Sequence, residues 1–127
     1  GFNGEPRVNA VWRNAPLGDD PVNHSNTRGT VTFATSGPNA RTTQMFINYG
    51  NNDFLDESGF SPLGEVVEGM DVAAKFHAGY GDGPPQGQGP DQQQIFSAGN
   101  AYLDASFPEL TKIVKMSIQQ DAPPPAS

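Results

Sequence analysis

The sequence contains no cysteine and has little positive charge. Without cysteine, disulfide bonds, thiolate catalysis and cysteine-ligated metal sites are all excluded. Lysine and arginine together number 7, against 14 aspartate and glutamate residues, which gives a net charge of −7. Because nucleic-acid binding depends on basic patches that neutralise phosphates, this charge argues against a nucleic-acid partner and also against an anionic membrane surface.

Long hydrophobic runs are also missing, and the apolar fraction is only 35%. No run approaches the roughly 20 apolar residues that a membrane-spanning helix needs. The 127 residues suffice for one domain, and the 15 glycines and 12 prolines predict many turns and long loops. We expect one domain over residues 1–120 and a disordered, proline-rich tail over residues 121–127.

Alternating apolar and polar residues predict a mainly β fold, for which a small closed or partly closed barrel is the natural arrangement. The predicted strands are "GTVTFA" at 29–34, "TQMFINY" at 43–49, "LGEVV" at 63–67 and "TKIVKMSI" at 111–118. We expect a helix over 68–79, a short helix within 95–107, irregular structure over 1–28 and a mobile surface loop over 79–94. Trp12 is expected to pack against other residues, since a large ring is seldom left in water.

The second predicted strand carries a glutamine inside an otherwise apolar run. Because side chains alternate across a strand, Gln44, Phe46 and Asn48 share one face, while Met45, Ile47 and Tyr49 share the other. The Met45 face is interpreted as core. The other face pairs an amide with an aromatic ring, which is typical of a groove wall, although Phe46 and Leu55 could equally be ordinary core residues.

Motifs for metal, nucleophilic or phosphate chemistry are lacking. His24 and His77 are far apart in sequence and neither belongs to a spaced ligand motif. There is no G-x-S-x-G elbow, and the glycines of residues 79–89 follow a predicted helix instead of opening one. We therefore expect neither a metal nor a cofactor.

Three segments, "RGTVTFATSGPNARTTQMFIN", "DFLDESGFSPLGEVVEGMDV" and "TKIVKMSI", resemble the cyclophilin family of peptidyl-prolyl cis-trans isomerases. The resemblance runs from about Asn26 to Ile118, and "GFNGEPRVNAVWRNAP" resembles a subgroup with a long loop at this place. The resemblance implies an eight-stranded antiparallel barrel capped by helices, with a surface groove that binds proline-containing peptides or unfolded proteins. It also implies a monomer.

The same resemblance implies a set of substrate-binding residues. An edge segment would pair with the peptide backbone, Gln44 would be a groove amide, and Phe46 and Leu55 would form the wall and floor of a proline pocket. Phe60 falls near a position often held by histidine or another aromatic residue, and Phe54 stands where many members carry tryptophan. The edge segment consists of Ala34, Thr35 and Ser36.

The catalytic arginine of the family lies in a Phe-x-Arg-[Val/Ile]-[Val/Ile]-Pro-x-Phe-x-x-Gln segment, which this sequence does not contain. The arginines that are present lack this context and are expected to be solvated loop charges; they are Arg7, Arg13, Arg28 and Arg41. The sequence is therefore interpreted as the C-terminal portion of a cyclophilin-like domain, incomplete at its N-terminus, with no catalytic residue assigned. By itself it is expected to be unstable or to aggregate.

Three functional hypotheses follow from the sequence. The first is a peptidyl-prolyl cis-trans isomerase that acts on X-Pro bonds and assists folding. The second is a non-catalytic module that binds proline-containing peptides. The third is a structural or interaction protein that keeps only the scaffold, because a fold does not fix a function.

Overall fold

The computed structural model describes residues 1–121, so the tail predicted over residues 121–127 falls almost wholly outside the described residues. Short helices and strands alternate with long connections along the chain. In chain order they are α1 (Pro6–Trp12), β1 (Thr30–Phe33), β2 (Met45–Ile47), a 3-10 helix (Asp53–Ser58), β3 (Pro62–Glu65), α2 (Met70–Ala73), α3 (Gln92–Ala98) and α4 (Asn100–Ser106). None of the helices in this part of the chain is long and apolar enough to cross a membrane.

The three strands form one antiparallel sheet in the order β2-β1-β3. Val31 pairs with Ile47 and Thr32 pairs with Phe46, which fixes the register between β1 and β2. The strands predicted at 29–34, 43–49 and 63–67 are confirmed, although each is shorter than predicted or shifted by a residue. Over residues 1–121 the β structure is thus an antiparallel sheet of three strands.

The prediction of irregular structure over residues 1–28 is wrong for residues 6–12, which form α1, and is confirmed for most of the rest of this segment. Proline is favoured at the first helical position, where its fixed φ angle suits the helix and its missing N–H leaves no hydrogen bond unmade. The helix predicted over 68–79 is also wrong in length, since α2 is a single turn that ends at Ala73.

The helix predicted within 95–107 is confirmed, but it is divided into α3 and α4. It begins earlier than predicted because Asp91 caps it. The Asp91 carboxylate accepts hydrogen bonds from the backbone N–H groups of Gln93 and Gln94 at 2.8 Å and 3.2 Å. Such a cap satisfies N–H groups that have no partner within the helix.

The strand predicted at 111–118 is absent from the structure. Val114 and Ile118 are 98% and 94% exposed, and the segment joins neither edge of the sheet. Alternation is a local property of the sequence, whereas a strand also needs a neighbouring backbone to pair with. The pattern alone therefore overpredicted β structure here.

The buried part of the molecule is small and largely polar. Among the described residues, the buried apolar side chains are Ala73 and Ile95. The most deeply buried side chains are instead polar: Asn26, Thr32 and Asn48, at 0%, 0% and 1% exposure. These three are linked by hydrogen bonds where β1 and the end of β2 meet the 3-10 helix, next to the site described below.

The face predicted as core is incompletely covered. Met45 and Tyr49 are 37% and 51% exposed, so the predicted burial of these two side chains is wrong, while Trp12 is 56% exposed. Met45 and Trp12 border an open cavity of about 710 Å³, which separates the sheet from α1. Since no side chain fills this space, the apolar residues around it lack close packing partners.

Candidate functional site

The face of the sheet that carries Phe46 is defined by the pairing of β1 with β2. Phe46 lies opposite Thr32, and the backbone N–H of Ala34 donates to the carbonyl oxygen of Gln44 at 2.9 Å. Paired residues of antiparallel strands point to the same side of the sheet. Gln44 and Phe46 therefore share a face, and their Cα atoms are about 7 Å apart along the strand.

Two aromatic side chains meet at this face, and Leu55 is linked to one of them through the backbone. The rings of Phe46 and Phe60 pack edge to face, with centroids 5.9 Å apart and an interplanar angle of 67°. Leu55 lies in the 3-10 helix, and its carbonyl oxygen accepts a hydrogen bond from the backbone N–H of Phe60 at 3.3 Å. All three residues are half-buried, whereas the neighbouring Phe54 is 68% exposed.

The predicted edge segment lies next to Gln44. Ala34, Thr35 and Ser36 line a cavity of about 400 Å³ together with Gln44 and other residues. The Thr35 hydroxyl donates to the carbonyl oxygen of Gly37 at 2.6 Å and accepts from its N–H at 3.2 Å. Because this hydroxyl closes a local turn, it helps to shape the edge segment.

Two parts of the predicted site are thus adjacent on one strand. Gln44 faces the cavity lined by residues 34–36, while Phe46 contacts Phe60 near Leu55. Gln44 also borders a second cavity of about 550 Å³, which is lined mainly by residues 81–93. Together these groups offer an apolar surface for a small ring and an amide beside it for a flanking peptide group.

A polar cluster lies next to Phe46 and Phe60, and the sequence analysis did not find it. Asp56 accepts hydrogen bonds from the Ser25 hydroxyl at 2.5 Å and from the backbone and side-chain amides of Asn26 at 2.9 Å and 2.7 Å. The hydrogen bond from Ser25, followed by those from Asn26, lowers the pKa of the Asp56 carboxyl below its ordinary value. In sequence, Ser25 and Asn26 resemble turn residues.

Arg41 is the most buried of the four arginines, and the expectation of a solvated loop charge is wrong for it. Its guanidinium donates to the carbonyl oxygen of Gly18 and forms an ion pair with Asp20 at 3.0 Å. The guanidinium carbon also lies 5.8 Å from the ring centroid of Phe33, which is on the opposite face from Phe46. Arg41 is therefore engaged on that side of the sheet.

Metal-ligating side chains do not gather at the site. Within residues 1–121, no three histidine, aspartate or glutamate side chains are grouped so that they could hold a metal ion. His77 lies 3.8 Å from the Glu109 carboxylate, and neither residue lines the cavities beside Gln44. The groups at the candidate site are amides, hydroxyls, one carboxylate and aromatic rings, which suit binding of a peptide more than bond cleavage.

Comparison with known proteins identifies relatives of this chain. The family model described as cyclophilin type peptidyl-prolyl cis-trans isomerase/CLD matches residues 3–99. A peptidyl-prolyl cis-trans isomerase of Acinetobacter baylyi is 43% identical over 68 residues, which are 49% of this chain and 36% of that protein. Peptidyl-prolyl cis-trans isomerase B of Escherichia coli is 41% identical over 81 residues, which are 57% of this chain and 49% of that protein.

A third isomerase is similar to this chain over a comparable length. Peptidyl-prolyl cis-trans isomerase A of Dickeya dadantii is 38% identical over 82 residues, covering 60% of this chain and 42% of that protein. The chain thus spans less than half the length of each of these curated relatives. The family model nevertheless covers well over half of the chain, including the whole sheet and the Phe46 face. The chain belongs to the cyclophilin-type peptidyl-prolyl cis-trans isomerase family.

Proposed function

We propose that the chain carries the peptide-binding surface of a peptidyl-prolyl cis-trans isomerase that acts on X-Pro bonds of peptides and unfolded proteins. One observation carries the proposal: Gln44 and Phe46 share a sheet face, and Phe46 packs against Phe60 in a chain of this family. The relatives are named as isomerases, and this supports the same activity here.

The proposed reaction breaks no bond. Rotation about a peptide bond has a barrier of about 18–20 kcal/mol, because the C–N bond has partial double-bond character. For X-Pro bonds, the cis and trans forms differ by only about 0.5–1 kcal/mol, so both are populated and interconvert slowly. An isomerase therefore has to bind the twisted amide more tightly than either planar form.

The residues of the site have distinct parts in this proposal. Phe46, Phe60 and Leu55 hold the pyrrolidine ring, because apolar surface on both sides of a small ring excludes water from it. The backbone of residues 34–36 pairs with the extended peptide, and the Gln44 amide binds a flanking peptide group. The peptide is then held on both sides of the bond that rotates, which favours the twisted geometry.

A donor to the prolyl nitrogen would favour loss of conjugation in the twisted amide. We do not assign this role to Arg41, since its guanidinium already binds Gly18 and Asp20 near Phe33. We propose that the complete catalytic domain is an eight-stranded barrel, in which further strands cover the open Met45 face, and that another segment of this domain supplies the arginine at the Phe46 face. The exposure of Met45 and the 710 Å³ cavity beside it support this part of the proposal.

A non-catalytic module that binds proline-containing peptides is the second candidate. It is favoured by the absence of the family's arginine segment from the 127 residues. Such a module would keep the apolar pocket and the edge segment, and it would bind cis or trans peptides without lowering the barrier between them. Both candidates bind a proline-containing peptide, but only the isomerase increases the rate of cis/trans exchange of that peptide.

Exchange NMR on a short proline-containing peptide tests both candidates. We expect the chain to bind the peptide, and the complete domain with its arginine also to broaden the cis and trans signals by faster exchange; Phe46→Ala should abolish both effects. Phe54→Ala, which changes a 68% exposed phenylalanine near the site, is the matched control and should keep them. Binding by the complete domain with no change in exchange rate would favour the module, and binding that survives Phe46→Ala would refute the proposed pocket.

A further inference from the structure

The side chain of Asn26 is fully buried at 0% exposure, and it makes four hydrogen bonds. Its amide nitrogen donates to the Asp56 carboxylate at 2.7 Å and to the carbonyl oxygen of Phe60 at 2.8 Å. Its amide oxygen accepts from the Thr32 hydroxyl at 2.7 Å and from the Asn48 amide at 3.2 Å. An asparagine side chain offers two donors and two acceptor sites, so this amide is fully satisfied.

These four partners lie on the segments that carry the apolar site residues. Thr32 is the register partner of Phe46, and Asn48 follows the end of β2. Asp56 is adjacent to Leu55 in the 3-10 helix, and the fourth partner is the backbone of Phe60 itself. The Asn26 backbone adds a further link, since its carbonyl oxygen accepts from the N–H of Asn52 at 2.8 Å.

The sheet also links the strand of Phe46 to the segment after Phe60, because Thr32 pairs with both Phe46 and Pro62, but few contacts fix the 3-10 helix against it. Phe46 meets Phe60 in one edge-to-face contact, and both rings are half-buried. The 3-10 helix contributes no buried side chain of its own. With little apolar packing to fix its position, this helix depends on directed hydrogen bonds, and several of those run to Asn26 or to its partner Asp56.

We propose that Asn26 is a positioning residue for the proline pocket, because its amide holds the strand of Phe46, the helix of Leu55 and the backbone of Phe60 in one arrangement. This inference rests on the proposed function for its consequence in binding. Asn26 does not touch the peptide, and it acts through the residues that do. A residue that only stabilised the fold would lower the folded fraction and leave the affinity of each folded molecule unchanged.

The test combines two measurements on the full chain. The first is the nuclear Overhauser effect between the rings of Phe46 and Phe60, which reports the pocket without any ligand. The second is the dissociation constant of a short proline-containing peptide, measured where urea curves show each protein to be folded. The first measurement reports the geometry of the pocket, and the second reports how tightly the pocket binds a peptide.

Two variants alter Asn26 in different ways. Asn26→Ala removes all four side-chain hydrogen bonds. Asn26→Asp keeps the acceptor oxygen for Thr32 and Asn48, but it places an oxygen instead of the amide NH2 beside the Asp56 carboxylate and the Phe60 carbonyl. If neither Asn26 variant folds, both measurements are made on Thr32→Val instead. This change removes one of the four hydrogen bonds with little change in side-chain shape.

The control is Asn9→Ala, which changes another buried asparagine of 5% exposure. Asn9 makes two hydrogen bonds, both to the backbone of Asn3 at 2.8 Å and 2.7 Å, and it lies in α1 away from the Phe46 face. Its loss should lower stability by removing comparable bonds. It should leave both the ring contact and the peptide affinity as they are in the unchanged chain.

We expect both Asn26 variants to weaken the Phe46–Phe60 ring contact and to raise the dissociation constant about tenfold, as when the competent arrangement falls to about a tenth of the population. An unchanged ring contact in folded Asn26→Ala would overturn the inference. If the unchanged chain binds no proline-containing peptide, the proposed function fails, while the ring contact still decides whether Asn26 positions the pocket.

Discussion

On one face of the sheet Thr32 and Asn48 are 0% and 1% exposed, whereas on the other face Met45 is 37% exposed. Polar side chains are buried and an apolar one is open to solvent, which reverses the usual pattern of a half-buried sheet. The Phe46 face, which carries Thr32 and Asn48, is covered by the 3-10 helix and the residues around Asn26. The Met45 face borders the 710 Å³ cavity.

The difference shows that burial here follows the available partners more closely than it follows hydrophobicity. A buried polar group is tolerated when its hydrogen bonds are made, and it becomes costly when one is left unmade. Asn26, Asn48 and Thr32 satisfy one another across three segments. We therefore expect stability to be more sensitive to polar changes on the Phe46 face than to apolar changes at exposed positions.

The largest effect is expected for Asn48→Ala. The Asn48 amide donates to Thr30 Oγ1 at 2.8 Å and to Asn26 Oδ1 at 3.2 Å, and its oxygen accepts from the Asn52 amide at 2.9 Å. Loss of these bonds and the small cavity left behind should lower the free energy of unfolding by about 2–3 kcal/mol. Urea denaturation followed by circular dichroism measures this value, and a cooperative transition in the unchanged chain would contradict the expectation that the chain is unstable by itself.

The control for this change is Asn51→Ala, at an exposed asparagine three residues along the same connection. It should alter the free energy of unfolding by less than about 0.5 kcal/mol, because surface substitutions away from specific contacts have small effects. An equal loss of unfolding free energy in the two variants would show that the buried hydrogen bonds of Asn48 do not stabilise the fold.

A smaller effect is expected for Thr32→Val, which replaces the buried hydroxyl with a methyl group. The Asn26 amide oxygen then loses its shorter hydrogen bond, of 2.7 Å, and keeps the one from Asn48. We expect a loss of about 1–2 kcal/mol in the free energy of unfolding. Thr27→Val, at an exposed threonine before β1, is the control, and the comparison fails if both changes cost the same.

The third prediction concerns the free energy of unfolding at acidic pH. The pKa of Asp56 is lowered in the fold, first by the Ser25 hydroxyl and then by Asn26, from its ordinary value of 3.8. The unfolded chain therefore takes up this proton first as the pH falls, so the stabilising contribution is complete above about pH 5 and is lost as the pH drops through 3.8 towards the lower folded pKa.

Urea curves recorded from neutral to strongly acidic pH measure this contribution. Asp56→Asn should flatten the fall in the free energy of unfolding below about pH 5, because the residue no longer titrates. Ser25→Ala removes the largest cause of the lowered pKa, so the same fall should become smaller. A fall that is identical in all three proteins would mean that Asp56 is not bound in solution as the structure describes.

The sequence predicted the parts of the fold that depend on local alternation. It located β1 and β2 and placed Gln44 and Phe46 on a common face, because side-chain direction in a strand follows from spacing alone. The family motif then supplied the assignments for residues 34–36, Leu55 and Phe60, which stay predictions. In the structure residues 34–36 lie beside Gln44, and Phe60 lies beside Phe46 and Leu55.

What the sequence could not predict depends on contacts between distant residues. Asn26 and Asp56 are thirty positions apart, and nothing local marks either as part of a cluster. Which sheet face is buried depends on what lies against it, so Met45 was assigned to the core by pattern and is instead half-open. The helix start at Pro6 was within reach of the sequence, since proline at the first position is a helix signal.

The smallest effect is expected where the sequence predicted a strand and the structure has none. Val114 and Ile118 are 98% and 94% exposed, so the double change Val114→Ser, Ile118→Ser should alter the free energy of unfolding by less than about 0.5 kcal/mol. Ile95→Ser, at a position 8% exposed, is the matched apolar control and should lower stability clearly. A loss of similar size for both would show that Val114 and Ile118 are buried in solution, contrary to their exposure in the structure.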